Sequence, residues 1–96
     1  MIEVNCDSVA DNLFSVALSK PSDGKFNSNY SRKVSFRIDS KVYSIRLASI
    51  SAVHQAARNG GEGVITIITQ AVKYTFNYRK GAVEAIAEFM AAWEQI

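Results

Sequence analysis

The spacing of the apolar residues changes once along this chain, near Gly81, and that change constrains the fold more than any other feature. Before it, in 72–78, apolar residues occupy every second position, which is the period of a strand with one face buried. After it, they recur at every third or fourth position, which predicts an amphipathic helix that packs on a sheet. The predicted buried residues are Val72, Tyr74, Phe76 and Tyr78 in the strand and Val83, Ile86, Phe89, Met90, Trp93 and Ile96 in the helix.

Three further segments have the pattern of strands. The run 64–68 is apolar in both registers and mostly β-branched, which favours a central strand covered on both faces. The segment 33–39 alternates cleanly and is tightly connected, at 39–41, to a second alternating run, so a hairpin is predicted. Its core side would carry Val34, Phe36 and Ile38 from the first arm and Tyr43, Ile45 and Leu47 from the second.

The segment between the hairpin and the strand at 64–68 fits two element orders. A serine at its start could cap a short helix within 50–58 that ends near Gly60, and this favoured interpretation gives the order ββαββα. Alternatively, the second arm continues past Leu47 and a glycine-rich loop returns it, giving four consecutive antiparallel strands and a terminal helix. Over roughly 33–96, this alternative is similar to bacterial pleckstrin-homology-like (PH-like) modules in element order and apolar spacing, and the resemblance implies a bent sheet plugged by a helix.

Both orders belong to the α+β class, with an antiparallel sheet of about four strands covered on one face by the amphipathic C-terminal helix. The N-terminal part is ambiguous. A capped helix over 7–18 is favoured, whereas alternating apolar residues in 14–18 fit a strand. Proline, glycine and small polar residues predict a long loop over 20–32. We therefore expect one domain, with a helix or strand in 1–19 and the sheet and C-terminal helix in 33–96.

Composition limits the class of protein. The 96 residues suffice for one core and are too few for two domains, and 48% hydrophobic with 21% charged residues is typical of a soluble globular chain. No run approaches the ~20 apolar residues that cross a bilayer, and the N-terminus lacks the pattern of a secretory signal. The single cysteine, Cys6, cannot form an internal disulfide. We expect a cytoplasmic protein that makes no membrane contact.

The residues that catalysis would need do not occur together. His54 is the only histidine, and it lies in an alanine-rich segment with no Gly-x-Ser-x-Gly motif near it. One cysteine and one histidine cannot supply a zinc cluster. The glycine-rich segment 59–63 lacks the lysine and the glycine spacing of a phosphate-binding loop, and it leads into a strand. The sequence predicts a protein that is not an enzyme and that has no metal and no cofactor.

Two groups of residues are candidate partner-binding surfaces. The loop 20–32 has aromatic rings among cations, and long loops of this kind tend to be functional. On the open face of the predicted sheet, cations among small polar residues would form a positively charged plane, while the strand aromatics face the core. The loop candidates are Lys25, Phe26, Tyr30, Arg32 and Lys33, and the sheet candidates are Arg37, Arg46, Lys73 and Arg79.

These features predict a protein-protein interaction module, a small regulator or inhibitor that acts by occluding a partner. The alternative is a nucleic-acid-binding protein that uses the basic sheet face, although the net charge of +2 is low for that class and stacking rings are not expected on this face. The third hypothesis is a homodimer, because Ala85, Ala91 and Ala92 give the helix shallow positions where a second copy could approach.

Overall fold

The architecture consists of two β-sheets and a C-terminal helix. The structure, a computed structural model, describes residues 1–6, 14–20, 32–38 and 40–96. The predicted α+β class is confirmed, and the helix packs on the sheets as expected. The elements are β1 (Ile2–Cys6), β2 (Phe14–Leu18), β3 (Lys33–Ile38), β4 (Lys41–Arg46), β5 (Ile50–Ala57), β6 (Gly63–Thr69), β7 (Val72–Tyr78) and α1 (Val83–Glu94).

The strands form a four-stranded sheet in the order β1-β7-β6-β5 and a three-stranded sheet in the order β2-β3-β4. Neighbours are antiparallel except β1, which runs parallel to β7 with Ile2 opposite Val72. The sequence predicted a single antiparallel sheet from 33–96. It did not predict that the N-terminal strand would add a parallel edge.

The favoured prediction of a short helix within 50–58 is wrong. That segment forms strand β5, which pairs with β6 and places His54 opposite Thr66. The helix prediction relied on a serine cap, but Ser49 Oγ donates a hydrogen bond to the Arg46 carbonyl at 2.8 Å. As a strand, the segment places Gln55 where its Nε2 donates to Tyr78 Oη at 2.9 Å. The observed order over 33–96 is therefore closer to the alternative, strands followed by a terminal helix. It has five strands where the alternative had four, because a 3₁₀ turn at Leu47–Ser49 separates β4 from β5.

The favoured N-terminal helix is also wrong where it can be compared with the structure. Residues 14–18 form β2, which pairs with β3 and places Val16 and Leu18 against the core. A strand is more stable than a helix here, because the alternating residues gain both a hydrogen-bonded ladder and apolar burial. The rest of the predicted helix, 7–13, and 21–31 of the predicted loop lie outside the described residues.

The two sheets meet through aromatic rings. Phe36 of β3 stacks on Phe76 of β7 with ring centroids 4.8 Å apart and an interplanar angle of 12°. Phe89 of α1 meets Phe36 edge-on, at 5.9 Å and 87°. All three side chains are fully buried. The inner face of each sheet therefore faces the other sheet, and the helix closes the same core.

The helix buries a narrower stripe than predicted. Ile86 and Phe89 are fully buried, and Met90 and Trp93 are partly buried against the core. Val83 and Ile96, expected in the stripe, are exposed, because they lie at the first turn of the helix and beyond its last residue.

No helix among the described residues is both long enough and apolar enough to span a membrane.

Gly63 of β6 lies close to both neighbouring strands, β5 and β7. It is buried, and a Cβ atom there would collide with the hydroxyl of Tyr78 and with the carbonyl oxygen of Ala56. The tyrosine hydroxyl is fixed by Gln55, and the carbonyl belongs to the backbone of β5, so neither atom can move aside cheaply. This position therefore requires glycine.

We expect Gly63→Ala to lower the free energy of unfolding by about 1–3 kcal/mol, the usual cost of overpacking a close-packed site. Urea unfolding followed by circular dichroism measures the change. Gly81→Ala is the matched control, because a Cβ at Gly81 has no atom within 4 Å and its φ is not positive. Equal stability of the two variants would contradict the close approach described for Gly63.

Candidate interaction surface

The outward side of the three-stranded sheet carries mostly small, polar and positively charged side chains, with Val42 as an exposed apolar residue among them. Alternation along β3 directs Val34, Phe36 and Ile38 into the core, so the residues between them face outward. The strand register then aligns three rows across the sheet. We call this surface the basic face; its rows are Ser15, Arg37 and Val42, then Ala17, Ser35 and Ser44, then Ser19, Lys33 and Arg46.

The end row of the basic face places like charges side by side. Lys33 and Arg46 lie directly opposite each other in the register of β3 and β4. Directly opposed residues have Cβ atoms about 4.5–5.5 Å apart, and like charges at that separation destabilise the pair. Neither side chain forms an ion pair within the described residues. None of the residues of the basic face is acidic, and within the described residues neither Lys33 nor Arg46 has a counter-charge.

A cross-strand lysine on the four-stranded sheet lies opposite an acidic residue instead. Lys73 of β7 lies opposite Glu3 of β1, and Lys73 Nζ approaches Glu3 Oε1 at 3.8 Å. The side chains remain 41% and 60% exposed, so the pair stabilises the fold by at most ~1 kcal/mol, but it cancels the charge. The outward face of the four-stranded sheet is therefore neutral at Lys73, whereas that of the three-stranded sheet is positively charged at Lys33 and Arg46.

The prediction of one plane containing Arg37, Arg46, Lys73 and Arg79 is therefore wrong. Lys73 lies on the outward side of the other sheet, because the inner faces of the two sheets pack against each other. Arg79 follows the last residue of β7 and is exposed where the chain turns towards the helix, its carbonyl accepting a hydrogen bond from Ala82 at 2.9 Å. Only Arg37 and Arg46 of the predicted plane share a face.

The loop candidates divide between the basic face and the undescribed part of the chain. Lys33 belongs to the basic face. Arg32 borders it, with its Nε donating to the Ser19 carbonyl at 2.8 Å. Lys25, Phe26 and Tyr30 lie outside the described residues.

A cleft of about 590 Å³ adjoins the basic face and shares Ser44 and Arg46 with it. It opens where β4 and β5 diverge, against the turn between β6 and β7. Arg46 is the only charged residue among those that line it, and five of the lining residues carry a hydroxyl group. Sequence reasoning missed this cleft. Its lining residues are Ser44, Ile45, Arg46, Ala48, Ser49, Ile50, Ser51, Thr69, Gln70, Ala71 and Tyr74.

The closely spaced serines at 44–51 were the available sequence signal for the cleft, but only the fold brings Thr69–Ala71 beside them. Three of the hydroxyls already form hydrogen bonds, and Ser44 Oγ accepts one of these bonds from Ser35 Oγ at 3.5 Å. Ser49 donates to the Arg46 carbonyl, and Thr69 Oγ1 both donates to the Val72 carbonyl at 3.0 Å and accepts from the Val72 amide at 3.1 Å. The cleft is thus a polar recess that carries a single positive charge.

Comparison with protein-family models, curated proteins and solved structures found no match to this chain. Within the described residues, no group of His, Cys, Asp and Glu side chains has the arrangement of a metal site. Functional inference therefore depends on the basic face and the adjoining cleft.

Replacing Lys33 by glutamate would place opposite charges across the strands in the end row. We expect Lys33→Glu to raise the free energy of unfolding by roughly 0.2–1 kcal/mol at low salt, and the gain to shrink as salt rises. Denaturant unfolding at two ionic strengths measures it. Lys41→Glu changes net charge equally, but Lys41 lies opposite Ile38, so it should not show the same gain. A destabilised Lys33→Glu variant, or an equal gain at both positions, would contradict the like-charge pair.

Proposed function

We propose that this chain is a non-enzymatic interaction module that binds an acidic segment of a partner protein on the basic face and acts by occluding that segment. The supporting observation is the cross-strand pair of Lys33 and Arg46, which lacks a counter-charge in the described part of the chain. Folding alone would favour an acidic residue at one of these positions, as at Glu3 opposite Lys73. A carboxylate from a partner would supply that missing charge.

The residue types on the face suit carboxylate recognition. A guanidinium group such as that of Arg46 can donate two parallel hydrogen bonds to one carboxylate, whereas Lys33 contributes a point charge. Ser35 and Ser44 lie between the charged rows, with their hydroxyl oxygens 3.5 Å apart, and they are short enough to let a partner backbone approach. The pairs are solvent-exposed, so each contact is individually weak and affinity must come from several contacts together.

The geometry of β3 also sets a spacing for the partner. Lys33 and Arg37 project from the same side of one strand four residues apart, which corresponds to about 13 Å at ~3.3 Å per residue. An extended segment with acidic residues at positions i and i+4 would place one carboxylate at Lys33 and a second near Arg37, which already has an interaction within the chain. The adjoining cleft, reached past Arg46, is large enough to receive a neighbouring side chain of such a segment.

Nucleic acid is the competing ligand for a positively charged sheet. Sheet surfaces that bind single strands without sequence preference stack bases on exposed rings. Phe36 and Phe76 are fully buried, Tyr43 and Tyr74 are packed against the core, and none of the basic-face residues is aromatic. On the described part of this face, an oligonucleotide would therefore have phosphate contacts without base stacking, which favours the acidic protein segment.

A fluorescently labelled extended peptide with glutamates at every fourth position tests the proposal by anisotropy. We expect saturable binding that weakens as salt rises, because the contacts are between exposed charges. Replacing both Lys33 and Arg46 by alanine should weaken binding tenfold or more, which corresponds to about 1.4 kcal/mol. A peptide of the same composition with its glutamates clustered should bind less tightly.

The control is Lys80→Ala with Arg79→Ala, which removes the same number of exposed cations away from the basic face. An equal loss of affinity in this control would mean that general charge attraction drives binding, and the proposal would fail. Tighter binding of a single-stranded oligonucleotide than of the peptide would favour the nucleic-acid alternative instead.

A further inference from the structure

Strand β5 ends the four-stranded sheet, and its outer edge is not paired with any described residue. The strand pairs only with β6, from Ala57 opposite Gly63 back to Ala52 opposite Ile68, with an irregularity between Ile50 and Ala52. An edge strand presents a row of unpaired amide and carbonyl groups that can template pairing with another chain.

One backbone hydrogen bond identifies which groups face outward. The Arg58 amide donates to the Glu62 carbonyl at 2.7 Å, so Arg58 directs its backbone groups towards the side of β6. Residues of an antiparallel strand alternate in this direction. The N–H and C=O groups of Val53, Gln55 and Ala57 therefore point away from β6, and none of these residues has another backbone partner in the described structure.

The β5 edge lacks the usual protection against pairing. Natural edge strands carry lysines, inward-pointing charges or proline. The sequence of β5, ISAVHQAA, has none of the charged residues Asp, Glu, Lys and Arg and no proline, and its last four residues are exposed. The three other edge strands differ from it: β4 carries Lys41 and Arg46, so two copies of β4 would repel each other, β1 carries Glu3, and β2 lies beside the helix. Strand β5 is thus the edge that an identical strand can approach.

We propose that two copies of the chain pair through β5, antiparallel, about a two-fold axis at Gln55. In this register Gln55 lies opposite Gln55 of the second copy, and Val53 lies opposite Ala57 of the second copy. All the outward backbone groups of Val53, Gln55 and Ala57 then form hydrogen bonds, and the four-stranded sheets join into one continuous sheet. His54 would lie opposite an alanine, so neither bulk nor like charge opposes the approach.

The helix is the other candidate surface for self-association, but its alanines do not form one patch. Ala92 is buried at 5% exposure against the core, whereas Ala91 is exposed. A second copy could not reach both. The β5 interface also leaves the basic face uncovered, because that face belongs to the other sheet. The pairing is thus independent of the proposed function, although a dimer would present two basic faces to a multivalent partner.

Analytical ultracentrifugation over a range of concentrations tests the pairing. The wild-type chain should shift from monomer to dimer, a twofold increase in mass, as concentration rises. Gln55→Pro removes an outward N–H, and proline is tolerated at that kind of edge position, so this variant should stay folded and monomeric. Gln55→Ala is the matched control. It loses the same side-chain hydrogen bond to Tyr78 but keeps the N–H, so it should still dimerise.

A second variant, Ala56→Lys, adds the kind of charge that protects natural edges and should also give a monomer. Circular dichroism checks that each variant retains its sheet content. A wild-type chain that remains monomeric at every concentration, or a folded Gln55→Pro variant that still dimerises, would overturn the inference. Loss of the dimer in Ala91→Glu, with Gln55→Pro unaffected, would assign the interface to the helix instead.

Discussion

The stacking of Phe36 on Phe76 is the contact on which the other features of the structure depend. It joins the two sheets, and Phe89 of the helix packs edge-on against the same ring. Burying each phenylalanine contributes roughly 1.5–3 kcal/mol, and an aromatic pair adds about 0.5–1.5 kcal/mol beyond the buried area. Because strand side chains alternate, fixing Phe36 inward also fixes Lys33, Ser35 and Arg37 outward.

Because the inner faces of the two sheets pack against each other, the molecule has two outward sheet faces, and these faces differ in charge. On one, Glu3 cancels the charge of Lys73. On the other, Lys33 and Arg46 lie side by side without such a counter-charge in the described residues. A cross-strand repulsion of this kind lowers stability, so its presence next to a polar cleft favours a role in binding over a role in folding. The proposed function follows from that difference between the faces.

Much of the inside of the molecule was predictable from residue spacing. The period of two in 72–78 predicted Phe76 and Tyr78 inside, and the helical period predicted Ile86 and Phe89; all four are buried. These predictions succeeded because they rest on local periodicity, which the core enforces along each element. The grouping of Arg37 with Arg46 was also predictable, since both lie on the outward positions of one hairpin.

The predictions that failed concern contacts between segments that are distant in the sequence. An alanine-rich segment with a preceding serine fits a helix locally, and only the pairing of β5 with β6 selects the strand. The parallel pairing of β1 with β7 joins the first strand to the last strand and leaves no local signal. Lys73 was assigned to the wrong face because the division into two sheets is not encoded in any one strand. The cleft was missed for the same reason, because it forms where β4 of one sheet and β5 of the other diverge.

The most direct test of the account is a nuclear Overhauser measurement on protein with isotope-labelled phenylalanine rings. With the Phe36 and Phe76 centroids 4.8 Å apart and Phe89 at 5.9 Å from Phe36, cross-peaks should connect the rings of both pairs. Such contacts would establish that the sheets face each other and that Lys33 and Arg46 face outward. Absence of any cross-peak between Phe36 and Phe76 in the folded protein would contradict the packing. The outward orientation of the basic face would then be wrong as well.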